Sequence, residues 1–299
     1  MRALLAIAAC LSTSCAAAAP WWAAPVVSFW IAPNGGDYVN RTVALVAAHA
    51  SEVTSVMAYC GIDILDDGRL ITPFSAACSA LFPPLRALGV RTELVTNSGN
   101  CSIAAMRLLW ADVTTAPAQL LAAALASGAD GINIDFEPQA DACQGGPTGD
   151  AADAALFAAW LAAVRAQLAP HGVRLTVDVA AWSPVLSQYA VLAAGVDRLL
   201  TMETYNGDSP AAWSATLDAY VAAAPLAAAG VGLGAWSDGK GQWWETPAAG
   251  PYKVNASRAA RVPELAVFRI VPAPNASPAW PLDFWWPALQ AFLAPEGAA

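Results

Sequence analysis

Asp130-Gly131-Ile132-Asn133-Ile134-Asp135-Phe136-Glu137-Pro138 is the most informative run in this chain of 299 residues. In an extended strand successive side chains point to opposite faces. Asn133, Asp135 and Glu137 therefore share one face, and Ile132, Ile134 and Phe136 share the other. In a barrel closed by helices, the apolar face packs on the helices and the polar row points inward. Three polar groups in one inward row cost desolvation unless they serve one another or a ligand. Asp135 beside Glu137 is a like-charge pair, which raises the pKa of one carboxyl and suits a general acid. Pro138 ends the strand and places Glu137 at its C-terminal rim, where barrel enzymes keep their chemistry.

Outward from this run, short segments rich in Val, Ile and aromatic residues alternate with alanine-rich helical patterns. The expected strands are Val26–Ile31, Val53–Tyr59, Arg91–Thr96, Gly131–Glu137, Arg174–Ala180, Arg198–Tyr205, Gly230–Trp236 and Leu265–Val271. The expected helices are Tyr38–Ser51, Ser75–Leu88, Ala116–Ala126, Asp150–Leu168, Pro184–Ala194, Ala211–Ala223 and Asp283–Leu293. Eight strands, each followed by a helix or long loop, predict an α/β fold, a single-domain (β/α)8 TIM barrel. The competing doubly wound sheet needs a glycine-rich phosphate loop after its first strand, and Pro33-Asn34-Gly35-Gly36 is not one.

The chain is 57% hydrophobic and 12% charged, with a mean hydropathy of +0.46. About a quarter of it is alanine, which inflates the apolar fraction while burying little area. Disorder is excluded. A net charge of −9 offers no basic footprint for nucleic acid or anionic lipid and suits a neutral substrate. Arg2, the apolar run Ala3–Leu11 and the small residues Ser12–Ala19 form the pattern of a secretory signal peptide. Residues 1–19 are thus expected to leave a barrel of residues 20–299, secreted or lumenal, with no later membrane span and acting as a monomer. Cys60, Cys78, Cys101 and Cys143 remain, an even number that favours two disulfides in a secreted chain, and local pairing gives Cys60–Cys78 and Cys101–Cys143. Two histidines and no C-x-x-C leave no expected metal site, and no cofactor is expected. Asn-x-Ser/Thr triplets at Asn40, Asn100, Asn255 and Asn275 are compatible with glycosylation.

Asp-Gly-x-Asn-x-Asp-x-Glu resembles the D-G-x-D-x-D-x-E signature that glycoside hydrolase family 18, the chitinase family, carries on its fourth barrel strand. Asparagine at the first inner position is closer to the family's di-N-acetylchitobiase branch. Thr176-Val177-Asp178-Val179-Ala180-Ala181-Trp182-Ser183-Pro184 is similar to that branch's fifth strand. Leu200-Thr201-Met202-Glu203-Thr204-Tyr205-Asn206 resembles the sixth-strand M-x-Y-D, with Glu203 and Asn206 replacing Met and Asp. Val231-Gly232-Leu233-Gly234-Ala235-Trp236 resembles the seventh strand. The likeness spans Asp130 to Trp236 in order and spacing. The third-strand S-x-G-G survives only as Ser98-Gly99-Asn100, and the eighth strand, Leu265–Val271, lacks the family's tryptophan.

The resemblance implies a retaining hydrolase of β-1,4 bonds in N-acetylglucosamine oligosaccharides, in which the substrate's acetamido oxygen replaces an enzyme nucleophile. Glu137 would be general acid and then base, Asp135 would bind the acetamido N–H, and Tyr205 would hold the acetamido oxygen. Asn133 would support Asp135 without relaying a proton. Asp178 and Asn206 would contact the sugar, and Trp182, Trp236 and Trp280 would stack on it. The short run between Trp236 and Ser257 leaves no room for the family's α+β insertion, so a shallow cleft for short oligosaccharides is expected. The alternatives are a non-catalytic chitin-binding lectin on the same barrel, and an unrelated barrel hydrolase pairing Glu137 with Asp178 or Glu203.

Overall fold

A computed structural model describes residues 19–33, 36–98, 102–138, 148–205, 209–234, 249–268 and 285–295. The strands are β1 (Val26–Ile31), β2 (Ser55–Ile64), β3 (Leu70–Ile71), β4 (Arg91–Asn97), β5 (Gly131–Asp135), β6 (Arg174–Val179), β7 (Arg198–Thr201), β8 (Ala229–Gly234) and β9 (Glu264–Phe268). Among the described residues the helices are α1 (Gly36–Ala48), α2 (Ala76–Ala87), α3 (Ile103–Ala111), α4 (Thr115–Ser127), α5 (Ala151–Leu168), α6 (Tyr189–Ala193), α7 (Pro210–Ala223), α8 (Ala249–Ala259) and α9 (Trp286–Leu293). All strands but β3 pair in parallel, and β1 pairs with both β2 and β9, which closes an eight-stranded (β/α)8 barrel. β3 is a short antiparallel addition to the far end of β2, so the second strand-to-helix connection rises above the C-terminal rim.

Alternation along each strand sorts the core into two compartments. Ile132, Ile134 and Phe136 pack outward into the large cluster shared with the helices, where Phe136 meets Phe157 and Trp160 of α5. Trp30, Met57, Val95, Leu200 and Ala266 form a separate apolar layer inside the barrel. Below it, Arg174 of β6 pairs with Glu93 of β4 and Glu264 of β9, all three fully buried. Ser28 and Ser55 donate to Glu264 and Glu93. Trp21 covers this floor with its ring 5.2 Å from the Arg174 guanidinium. Gly131 is needed here, because a Cβ would lie 2.8 Å from the Glu93 side chain.

Two strands stop earlier than alternation alone predicts. β5 ends at Asp135 because the Glu137 N–H leaves the ladder and donates to Ser98 Oγ at 3.1 Å. β7 ends at Thr201 and a 3-10 turn, Glu203–Tyr205, follows. There Thr204 Oγ1 donates to the carbonyls of Thr201 and Gly232, a side-chain competition that breaks strands. The expected helix Pro184–Ala194 shortens to α6, with turns before it. Helices α3 and α8 and the β3 hairpin are additions that the sequence patterns did not anticipate.

Cys60 and Cys78 are joined, with 5.8 Å between their Cα atoms. Cys101 and Cys143 lie outside the described residues, as does the leader. One segment contradicts the expectation that nothing beyond the leader is long and apolar enough to span a membrane: Ala151–His171 passes on length and composition. Its apolarity is explained by the barrel, since Phe157, Trp160, Leu161, Val164 and Leu168 of α5 are all fully buried against it.

Candidate functional site

The C-terminal end of the barrel gathers the acidic row. Asp135 ends β5, and Asp178 sits one register step along β6, next to it across the ladder. Both are buried, at 6% and 4% exposure, while Glu137 just beyond is half-buried at the rim. The Asp135 carboxyl is hydrogen-bonded to both Glu137 and Asp178. Its Oδ1 is buried with no hydrogen-bond partner among the described residues.

Asn133 takes a different part from the one expected. Its Nδ2 donates to Thr176 Oγ1 and to Asp178 Oδ1, each at 3.0 Å, rather than supporting Asp135. The period of two along β6 places Thr176 and Asp178 on one inward face, so Thr176 was legible there but not singled out.

Electrostatics follow from this crowding. Burial, then the neighbouring charges of Glu137 and Asp178, hold Asp135 far above the usual carboxylate range. Burial likewise pushes Asp178 up to about 8, opposed by the Asn133 hydrogen bond. Two adjacent buried carboxyls resist ionising together, so the pair holds at least one proton through the neutral range. Asn133 donates to Asp178 and favours its anion, so in the singly protonated pair the proton rests on Asp135.

Among the described residues, the rim loops carry Trp182 and Tyr205. Trp182, after β6, is 47% exposed. Tyr205 closes the 3-10 turn after β7, which Trp213 anchors by donating Nε1–H to the Thr204 carbonyl at 3.0 Å; the Tyr205 side chain lies outside the described part. Asn206, Trp236 and Trp280 also lie outside the described residues. Glu203 is committed elsewhere: it accepts from the Ala181 N–H and from Tyr189 Oη, tying the Trp182 loop to the Tyr205 turn. That contact speaks against the pairing of Glu203 with Glu137. Sequence reasoning also missed the contact of Ser98 with the Glu137 backbone and the aromatic pair at the mouth. Trp30 and Phe268, adjacent on β1 and β9, lie 4.9 Å apart at the upper face of the apolar layer. Their alternation with Ser28 and Ala266 was the available signal. Among the described residues no cluster of His, Cys, Asp or Glu could hold a metal ion.

No family model matches the chain, and no curated protein sequence matches it. Solved structures do share its fold. A chitinase from Chromobacterium violaceum superposes with a TM-score of 0.66 at 17% identity, over 91% of this chain and 100% of that one. A chitinase from Bacteroides thetaiotaomicron gives 0.68 at 12% identity, over 92% and 98%. A spore cortex-lytic enzyme from Bacillus cereus gives 0.67 at 13% identity, over 89% and 73%. At these identities the likeness shows the shared barrel architecture alone.

Proposed function

We propose that the chain is a retaining glycoside hydrolase that cleaves β-1,4 bonds of N-acetylglucosamine oligosaccharides with help from the substrate's acetamido group. The observation that carries this reading is the hydrogen-bonded carboxyl row at the open end of the barrel: Glu137 half-exposed, Asp135 buried beside it, Asp178 behind it. A double-displacement or inverting pair needs two carboxyls on opposite sides of the sugar, about 5–9.5 Å apart. Here Asp135 and Glu137 touch, so they serve one side of the scissile bond. One acid with a supporting carboxyl suits a reaction whose nucleophile comes from the substrate.

In this scheme Glu137 protonates the leaving oxygen and later removes a proton from the incoming water. Asp135 accepts the acetamido N–H on its unpartnered Oδ1, orienting the acetamido oxygen toward the anomeric carbon and stabilising the positive charge of the oxazolinium. Tyr205 holds the acetamido oxygen; Asn206 contacts the sugar. Trp182 stacks at the rim, joined by Trp236 and Trp280, and the Trp30–Phe268 pair provides an apolar floor. A secretory route, glycosylation at Asn40 and Asn255, which are exposed, and a monomeric state complete the reading.

Hydrolysis of a fluorogenic N-acetylchitobioside tests it. Wild type is expected to release the fluorophore, and Glu137→Gln is expected to lower kcat by about 10²–10⁴-fold. Retained oligosaccharide binding with no release by wild type would replace the hydrolase by a lectin. Equal release from a glucoside lacking the acetamido group would remove the substrate-assisted step.

A further inference from the structure

Within the hydrolase reading, Asn133 raises a chemical question: a carboxyl that must exchange its proton during catalysis has an amide, not an acid, behind it on its own strand. The neighbouring strand supplies one. Asp178 of β6 is buried, accepts from Asn133 Nδ2 at 3.0 Å through Oδ1, and is hydrogen-bonded to Asp135. We propose that Asp178 is the proton partner of Asp135, a positioning residue that takes up the Asp135 proton as the acetamido group attacks.

The step balances with one proton and no co-reactant. Before attack the proton lies on Asp135 and is donated to the Asp178 carboxylate. As positive charge develops on the oxazolinium, the proton crosses to Asp178; its bond to Asp135 breaks and its bond to an Asp178 oxygen forms. Asp135 becomes the carboxylate that accepts the acetamido N–H. Hydrolysis of the oxazolinium returns the proton to Asp135. Asn133 keeps Asp178 Oδ1 engaged as an acceptor, and its second donor bond, to Thr176, locks the amide in that orientation. The charged groups around the pair are Glu137 beyond β5 and, from below, Glu93 of β4 and Glu264 of β9, with Arg174 of β6 between those two.

The test compares wild type, Asp178→Asn and the double variant Asn133→Asp with Asp178→Asn, each checked for folding by circular dichroism. Asp178→Asn preserves shape but cannot take the proton. Its kcat is expected to fall about 10²-fold with KM changed far less. The double variant restores a carboxyl beside Asp135 on its own strand and is expected to recover about tenfold or more of that loss. Carbon-13 NMR of labelled aspartates, without substrate, reads the pairing directly: removing a neighbouring negative charge is expected to lower the Asp135 titration midpoint by about one pH unit or more. An unmoved midpoint, an unchanged kcat or a double variant no better than the single one would overturn the proposal. Wild type that hydrolyses no N-acetylglucosaminide would instead sink the hydrolase reading, and the NMR midpoint would still decide the pairing.

Discussion

Two buried carboxyls side by side cost the fold what they contribute to the chemistry. Asp135 and Asp178 both have raised pKa values, chiefly from burial. The folded chain therefore keeps protons that the unfolded chain releases above about pH 4. The native state binds more protons, so stability falls as pH rises from about 4 toward 8, the reverse of an ion-paired aspartate. Asp135→Asn removes one acid and relieves its partner. Its melting temperature is expected to exceed that of wild type at pH 7, by about 2–4 °C per kcal/mol gained, and to converge with it near pH 4. Thermal melts across that range check this; identical curves would show that the row is not strained. At this scale the sequence was informative where strand period alone decides the outcome, as for Asn133, Asp135 and Glu137. It was silent on partners across the ladder: that Asn133 reaches Asp178 depends on the register between β5 and β6, which no local pattern encodes.

Elements at the rim show where strand logic yields to side-chain hydrogen bonds. The alternating patterns of Gly131–Glu137 and Arg198–Tyr205 run past the true strand ends because Ser98 and Thr204 capture backbone groups there. Those captures turn the chain just where the candidate residues sit. α5 was legible almost residue for residue, because Asp150 caps it and Asp153 returns the bond to the Asp150 N–H. α6 was overextended, since Pro184 reads as a helix start while the chain makes turns that bring out Trp182. The Cys60–Cys78 bridge ties β2 to α2 below the β3 hairpin, closing 18 residues of sequence. Replacing both cysteines by alanine is expected to cost about 3 kcal/mol in urea unfolding. Reductant should destabilise wild type similarly and leave the double variant unmoved; wild type indifferent to reductant would mean that the bridge carries no stability.

Across the whole molecule, barrel closure brings together residues remote in sequence, and here it does so with charge. Eight strands of modest length meet around an apolar layer, and the floor beneath it is an ionic one. Arg174 joins Glu93 and Glu264, with Arg198 3.8 Å from Glu264 and Trp21 closing the end. Length and strand count were enough to read the barrel, but nothing in the local patterns marks these three residues as partners: Arg174 and Glu264 each open a strand between apolar neighbours, and Glu93 is third in β4. The energetic logic is that of buried ion pairs. The pairs themselves add little over apolar replacements, whereas losing one member strands the others. Burial already raises Glu93 above the ordinary glutamate range despite the adjacent guanidinium. Arg174→Met leaves two glutamates facing each other without a cation and is expected to cost about 3–5 kcal/mol in urea unfolding. Adding Glu93→Gln and Glu264→Gln removes the stranded charges and is expected to recover a large part of that loss. A single variant within about 1 kcal/mol of wild type, the range of exposed pairs, would mean that water reaches the floor. In that case Trp21 would not seal the barrel, and the closed fold would owe its stability to the apolar layer and the outer helices alone.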